Sequence, residues 1–259
     1  MPANIMTKII AVTNQKGGVG KTTTAVNLAA SLAISERRVL LIDLDPQGNA
    51  TSGMGCRADR TTGSIYDLLI GRKTVAEVVM TLDPTMPALI PSSIDLVGAE
   101  IELAGMVDRE RVLNGRLAGQ LSGYDFVVID CPPSLGLLTV NALTATDSVL
   151  IPVQCEYYAM EGLKLLLDTL QRVRQSLNPT LAIEGVLFTM FDSRNNLNHQ
   201  VMAEVGAHFK GQIFKSAIPR NVTLAEAPSH GKPVLFYDAV SRGAEAYLAL
   251  AAEVLAHAA

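Results

Sequence analysis

Apolar residues along this chain come in two rhythms. Short, uninterrupted runs rich in β-branched residues recur at 9–13, 39–43, 126–130, 149–153 and 185–191. Each is too short for a core helix and lacks the polar alternation of a half-exposed strand, so each predicts a strand buried on both faces. Between them, 22–34, 135–145, 162–177 and 198–209 carry apolar residues at helical spacing, and an alanine-rich stretch at 243–256 does the same. Strand–helix alternation of this kind predicts an α/β fold, a mostly parallel twisted sheet with helices on both faces. Residues 56–123 are less regular; weak helical patterns stand at 64–70 and 109–121, and the pattern orders nothing else there. No Pro/Gly/Ser-rich linker or low-complexity run interrupts the chain, so a single domain over 1–259 is expected.

Composition narrows the function. The 259 residues are 49% hydrophobic, enough for a sizeable core, and the net charge of −4 supplies no global field for nucleic acid or anionic lipid. Any such binding has to come from a local patch. The three cysteines, Cys56, Cys131 and Cys155, show no C-x-x-C spacing, which predicts buried apolar thiols in a reducing compartment rather than disulfides or a zinc site. The apolar run near the N-terminus is too short for a signal peptide or a span, so a cytoplasmic location is expected. About eight residues precede the first strand, so no operator-binding helix-turn-helix is expected.

The chemistry gathers where ligands bind such sheets, at the carboxyl ends of strands. Residues 13–24 read TNQKGGVGKTTT, between the first strand and the first helix. Gly17, Gly18 and Gly20 let the backbone turn tightly, and the amides through Val19 and on to Thr23 face a phosphate at the positive end of the helix. Lys21 is placed for the β- and γ-phosphates, and Thr22 for magnesium. The strict pattern G-x-x-x-x-G-K-[ST] requires glycine where this chain has Gln15. The match is to the variant K-G-G-x-G-K-[ST], led by Lys16.

Asp130 closes the apolar run FVVID, the place of a magnesium-holding carboxylate in such folds. Asp43 and Asp45 close the second strand two residues apart, on one face if the chain is extended. Asp43 either supports the magnesium shell or makes local hydrogen bonds. None of the four histidines stands in a nucleophile motif, so water attack on phosphorus is the consistent chemistry.

KGGVGKTT, followed by DLDPQGNAT and VVIDCPPSLG, resembles the deviant Walker A ATPases, and within them the ParA/Soj family that partitions DNA. The resemblance continues through PVQCEYYAMEGL, IPRNVTLAEAPSHGKP and SRGAEAYL. It implies a P-loop NTPase-like fold, ATP and Mg2+, and a homodimer with ATP sandwiched between chains, in which Lys16 crosses to the partner's nucleotide. It further implies that Asp45 positions the attacking water, with Lys16 and Lys21 as the other catalytic groups, and that Pro219 and Asn221 lie over the base. Non-specific DNA binding on the nucleoid would use Arg194, extended by Lys210, Lys215, Lys232 and Arg242, and a ParB/Spo0J-type protein would stimulate hydrolysis. Thr223 and Val240 depart from the pattern, standing where relatives often carry basic residues.

Three alternatives share the loop. A ParA-like ATPase that positions a protein cargo or organelle fits the same residues. A MinD-like membrane-associated ATPase needs a basic amphipathic C-terminal helix, and AYLALAAEVLAHAA has no lysine or arginine, so no membrane partner is expected. A redox protein of the nitrogenase iron type needs cysteines that bridge a cluster between chains, and Cys131 would have to serve.

Overall fold

The computed structural model describes residues 7–56, 63–156, 159–209 and 211–258. Seven strands form one sheet: β1 (Lys8–Val12), β2 (Val39–Asp43), β3 (Ala88–Ile90), β4 (Phe126–Asp130), β5 (Ser148–Gln154), β6 (Ala182–Phe191) and β7 (Ile213–Pro219). Their order is β3-β2-β4-β1-β5-β6-β7, and every paired strand runs parallel. After β1 the chain moves to one side of the sheet, and after β5 to the other. The crevice at the carboxyl ends of these two strands is therefore the expected ligand position.

The continuous apolar runs are explained by the covering on both faces. Ile10, Val12, Leu41 and Val128 point into one core with Leu28 and Leu32 of the helix Lys21–Ile34 and Tyr247 and Leu250 of the helix Arg242–Ala258. On the other face, Leu40, Ile42, Val127 and Ile129 pack with Leu68, Leu103, Leu113 and Leu138, while Val149, Ile151, Val186 and Phe188 meet Leu163, Leu166 and Val205. The apolar stripe of the last helix is thus spent inside the protein, against Lys21–Ile34 and β7. Among the described residues, no helix is long and apolar enough to cross a membrane.

Two strands escape the sequence pattern. β3 has only three residues, too few to show a period, and an antiparallel bridge from Met80 to Leu89 braces it. β7 is an edge strand paired with β6 alone, and its partly exposed positions break the apolar run that central strands show. The weak helix over 109–121 is in fact a 3-10 turn, Arg109–Arg111, followed by Val112–Leu117. Gly119, at φ +71°, takes the left-handed turn that ends it.

Candidate nucleotide site

The front of the loop is tied to the end of β5. Asn14 donates through Nδ2 to the Pro152 carbonyl (2.7 Å), and its Oδ1 accepts the Lys16 amide (3.0 Å). Gly20 opens the helix at φ +84°, with the nearest atoms to a hypothetical Cβ 3.8 Å away on Thr189. Backbone conformation, not lack of space, therefore demands glycine there. Thr189 holds the turn from β6 by donating to the Val19 carbonyl (2.8 Å).

The two loop lysines are placed differently. Lys21 is buried, and its Nζ folds back onto the Lys16 carbonyl (3.0 Å). Burial pulls its pKa below the ordinary lysine value, with Asp130 and Asp45 opposing. Lys16 is partly exposed, and its ammonium pairs with Glu156 beyond the end of β5.

The carboxylates divide in the same way. β2 and β4 pair Asp43 directly with Asp130. Asp43 accepts hydrogen bonds from the Thr51 amide and hydroxyl (both 2.7 Å) and the Asp45 amide (3.2 Å). Burial outweighs these bonds and raises its carboxyl to about 6. Asp130 is fully buried, and neither oxygen has a hydrogen-bond partner among the described residues. Burial and then Asp43 push it well above the usual carboxylate range; Thr22 and Lys21 are near enough to oppose this, Thr22 without a hydrogen bond of ordinary geometry.

A buried carboxylate with no partner is expensive, and its retention marks a place where a ligand supplies what the chain does not. Magnesium fits the donors present: a carboxylate and the Thr22 hydroxyl are hard oxygen ligands. Among the described residues no cluster of three His, Cys, Asp or Glu could hold a metal by itself, so most of the ion's oxygens would be phosphate and water. Asp45 is nearly buried and ends the network: its Oδ1 accepts the Gln47 amide (2.9 Å) and its carbonyl accepts the Ser92 hydroxyl (2.6 Å). Ser92 in turn donates its amide to Thr51 (2.9 Å). Sequence reasoning missed both supports. Thr51 stands in DLDPQGNAT, close in sequence to the aspartate it supports, whereas Ser92 lies in the irregular segment and gives no signal.

Next to Gly20 and Thr23 opens a cavity of about 360 Å³, lined also by Thr189, Met190, Pro219, Asn221 and Tyr247. Pro219 and Asn221 therefore share a space with the loop. Asn221 also caps the helix Val222–Glu226, its Oδ1 accepting the Leu224 amide (3.1 Å). Thr189, Met190 and Tyr247 were not anticipated, because they come from β6 and the last helix and form no local motif.

Two of the basic residues named from the sequence share a recess. Arg194 and Arg242 line a recess of about 440 Å³ together with Arg220, which the sequence reading had not assigned. Arg194 also pairs with Asp192 (2.8 Å) and holds its carboxyl down to about 2. Lys215 lies on the edge strand β7, and Lys232 lines a different cavity with Thr22, Asn49 and Ser229. Lys210 falls outside the described residues. Val240 is 86% exposed, an apolar surface residue beside Arg242. The cysteines are free and buried as expected, and Cys131, sealed in the core with its thiol pushed upward by burial, is not placed to bridge a cluster between chains.

A glycine loop between a central parallel strand and its helix, a buried loop lysine and strand-ending carboxylates define a P-loop nucleotide-binding protein. Residues 7–183 match the family model described as AAA domain. The chain is 56% identical over 252 residues to the sporulation initiation inhibitor protein Soj of Bacillus subtilis, covering 97% of this chain and 100% of that one. It is 54% identical over 248 residues to the chromosome partitioning protein ParA of Myxococcus xanthus, covering 96% and 88%. Among solved structures, cobyrinic acid a,c-diamide synthase from Mycobacterium smegmatis with bound ATP analog and magnesium matches at a TM-score of 0.85 and 38% identity, covering 97% and 96%. The chain belongs to the ParA/Soj family of chromosome-partitioning ATPases.

Proposed function

We propose that this chain is an ATP-driven partition switch: two copies close on ATP, the closed dimer binds nucleoid DNA without sequence preference, and a ParB/Spo0J-type partner stimulates hydrolysis and release. The separation of the two lysines carries the proposal. One phosphate loop holds Lys21 inside and sends the ammonium of Lys16 outward to Glu156. A lysine so placed is free to serve a second chain's nucleotide, which makes dimerisation depend on ATP.

In this reading the remaining residues take the following roles. The amides of Gly17 through Thr23 cradle the phosphates, and Lys21 neutralises their charge. Thr22 and Asp130 would hold magnesium, with Asp43 supporting from the paired strand; the bound ion would offset phosphate charge and polarise the γ-phosphoryl group. Asp45 has one oxygen committed to Gln47 and offers the other to orient the attacking water. Pro219 and Asn221 line the slot for the base. Arg194 and Arg242 begin a phosphate-binding face for DNA, and Lys215 and Lys232, with Lys210 from the sequence, add positive charge. The name of the Myxococcus xanthus relative, a chromosome partitioning protein, supports chromosomes as the cargo.

The test is DNA binding by the purified protein across a salt series with ATP, ADP or no nucleotide. Salt-sensitive binding confined to ATP and lost in Lys16→Ala is the expected result. Dimerisation on ATP without DNA binding would overturn the nucleoid role and point to a protein cargo.

A further inference from the structure

We infer that Glu156 is a positioning residue for Lys16: it retains the lysine on its own chain until a second chain's nucleotide competes for it, and so sets the concentration at which the dimer closes. The inference rests on the reading of Lys16 given above. The ion pair joins residues 140 apart, and both sides are built to meet. On the loop side, Asn14 fixes the Lys16 amide while anchored to Pro152 of β5. On the other side, the same strand ends at Gln154, whose carbonyl takes the Glu156 amide at 2.8 Å in a tight turn. One strand thus holds the lysine's backbone and presents the carboxylate for its side chain. The start of the helix Ala159–Ser176 closes over this corner, where a Cβ on Gly162 would lie 4.0 Å from both Asn14 and Lys16.

The pair is exposed enough to exchange, with side-chain accessibilities of 32% for Lys16 and 48% for Glu156. Neither group has a second side-chain partner among the described residues. A triphosphate carries several negative charges against the single one of Glu156, so a partner's nucleotide can outbid it, whereas solvent alone does not. Such an exposed pair shifts an equilibrium by up to about fivefold. Closing a two-fold dimer breaks two pairs, so Glu156 raises the dimer dissociation constant by up to about 25-fold.

Glu156→Gln in the full chain tests this, read by sedimentation against protein concentration with a non-hydrolysable ATP analogue and magnesium. Nucleotide affinity of the single chain is measured in parallel by fluorescence. The variant should close at a concentration about 2- to 25-fold lower, with single-chain nucleotide affinity unchanged, since among the described residues the Glu156 carboxylate bonds to the Lys16 side chain and to no phosphate-binding amide. The gap should narrow above about 0.5 M salt, where the pair is screened. Glu156→Asp should move back toward the native chain, and Glu156→Gln combined with Lys16→Ala should match Lys16→Ala alone. If Glu156→Gln closes no more readily than the native chain while Lys16→Ala fails to close, the role of Glu156 is overturned and the trans role of Lys16 survives. If Lys16→Ala closes normally, both are overturned.

Discussion

The two ends of the nucleotide cleft are built on opposite principles. The phosphate end comes from one contiguous stretch, 13–24, together with the paired ends of β2 and β4, and it is charged and internally unbalanced. Neither carboxylate oxygen of Asp130 has a hydrogen-bond partner among the described residues, and Lys21 is buried against its own loop. The end proposed for the base comes from three distant segments at 189–190, 218–225 and 247, gathered around a space of about 360 Å³. Its groups already have partners: Asn221 caps a helix, and the Tyr247 hydroxyl meets Thr24 at 3.2 Å. The difference teaches which end needs the ligand. Phosphate recognition demands fixed donors and stored imbalance, whereas a flat base needs only a slot left between packed elements.

The largest blow to this contrast would come from Lys21→Ala. It should lower ATP affinity by about 100-fold or more, because it removes the one buried cation of the phosphate end. Titration with a fluorescent ATP analogue measures it, and a loss below tenfold would mean that backbone amides do most of the holding. Next in size is Ala225→Trp, which places a bulky ring at the rim of the base cavity. ATP affinity should fall about tenfold. Competition by inorganic triphosphate should be unaffected if the two ends act separately.

The imbalance at the phosphate end also predicts a pH dependence. Burial pushes the Asp43 carboxyl up to about 6 in the folded chain, above its unfolded value near 4, so the folded state binds this proton more tightly. Its contribution to stability is complete below about pH 4 and is lost as pH rises through 6. Between pH 7 and pH 5 the metal-free, nucleotide-free protein should gain about 1 kcal/mol relative to Asp43→Asn, checked by denaturant unfolding in chelator. Asp125 has the opposite sign. Arg38 holds its carboxyl below the ordinary range, so its contribution is present above about pH 4 and fades in acid.

The smallest effect belongs to the base end. Tyr247→Phe removes a buried hydroxyl from Thr24 and should cost about 1 kcal/mol of stability. Nucleotide affinity should stay within about threefold, measured by the same titration. A larger drop would show that this tyrosine contacts the base directly.

The phosphate loop, the ends of β2 and β4 and the central strands were readable from the residues alone. Each depends on neighbours in the chain: glycines at 17, 18 and 20 followed by Lys21 and Thr22, or a five-residue apolar run closed by an aspartate. Local backbone needs write themselves into local sequence. The fold had to supply what depends on distance. It paired Asp43 with Asp130 while hydrogen-bonding only Asp43 among the described residues, because Thr51 folds back onto that strand end. It made the cavity proposed for the base from β6, β7 and the last helix, and it brought Arg220 into one recess with Arg194 and Arg242. It also brought Glu156 to Lys16 across 140 residues, since β5 lies beside β1 and ends level with the loop. Proximity between distant segments follows from strand order, and no periodicity in the chain encodes which strand becomes whose neighbour.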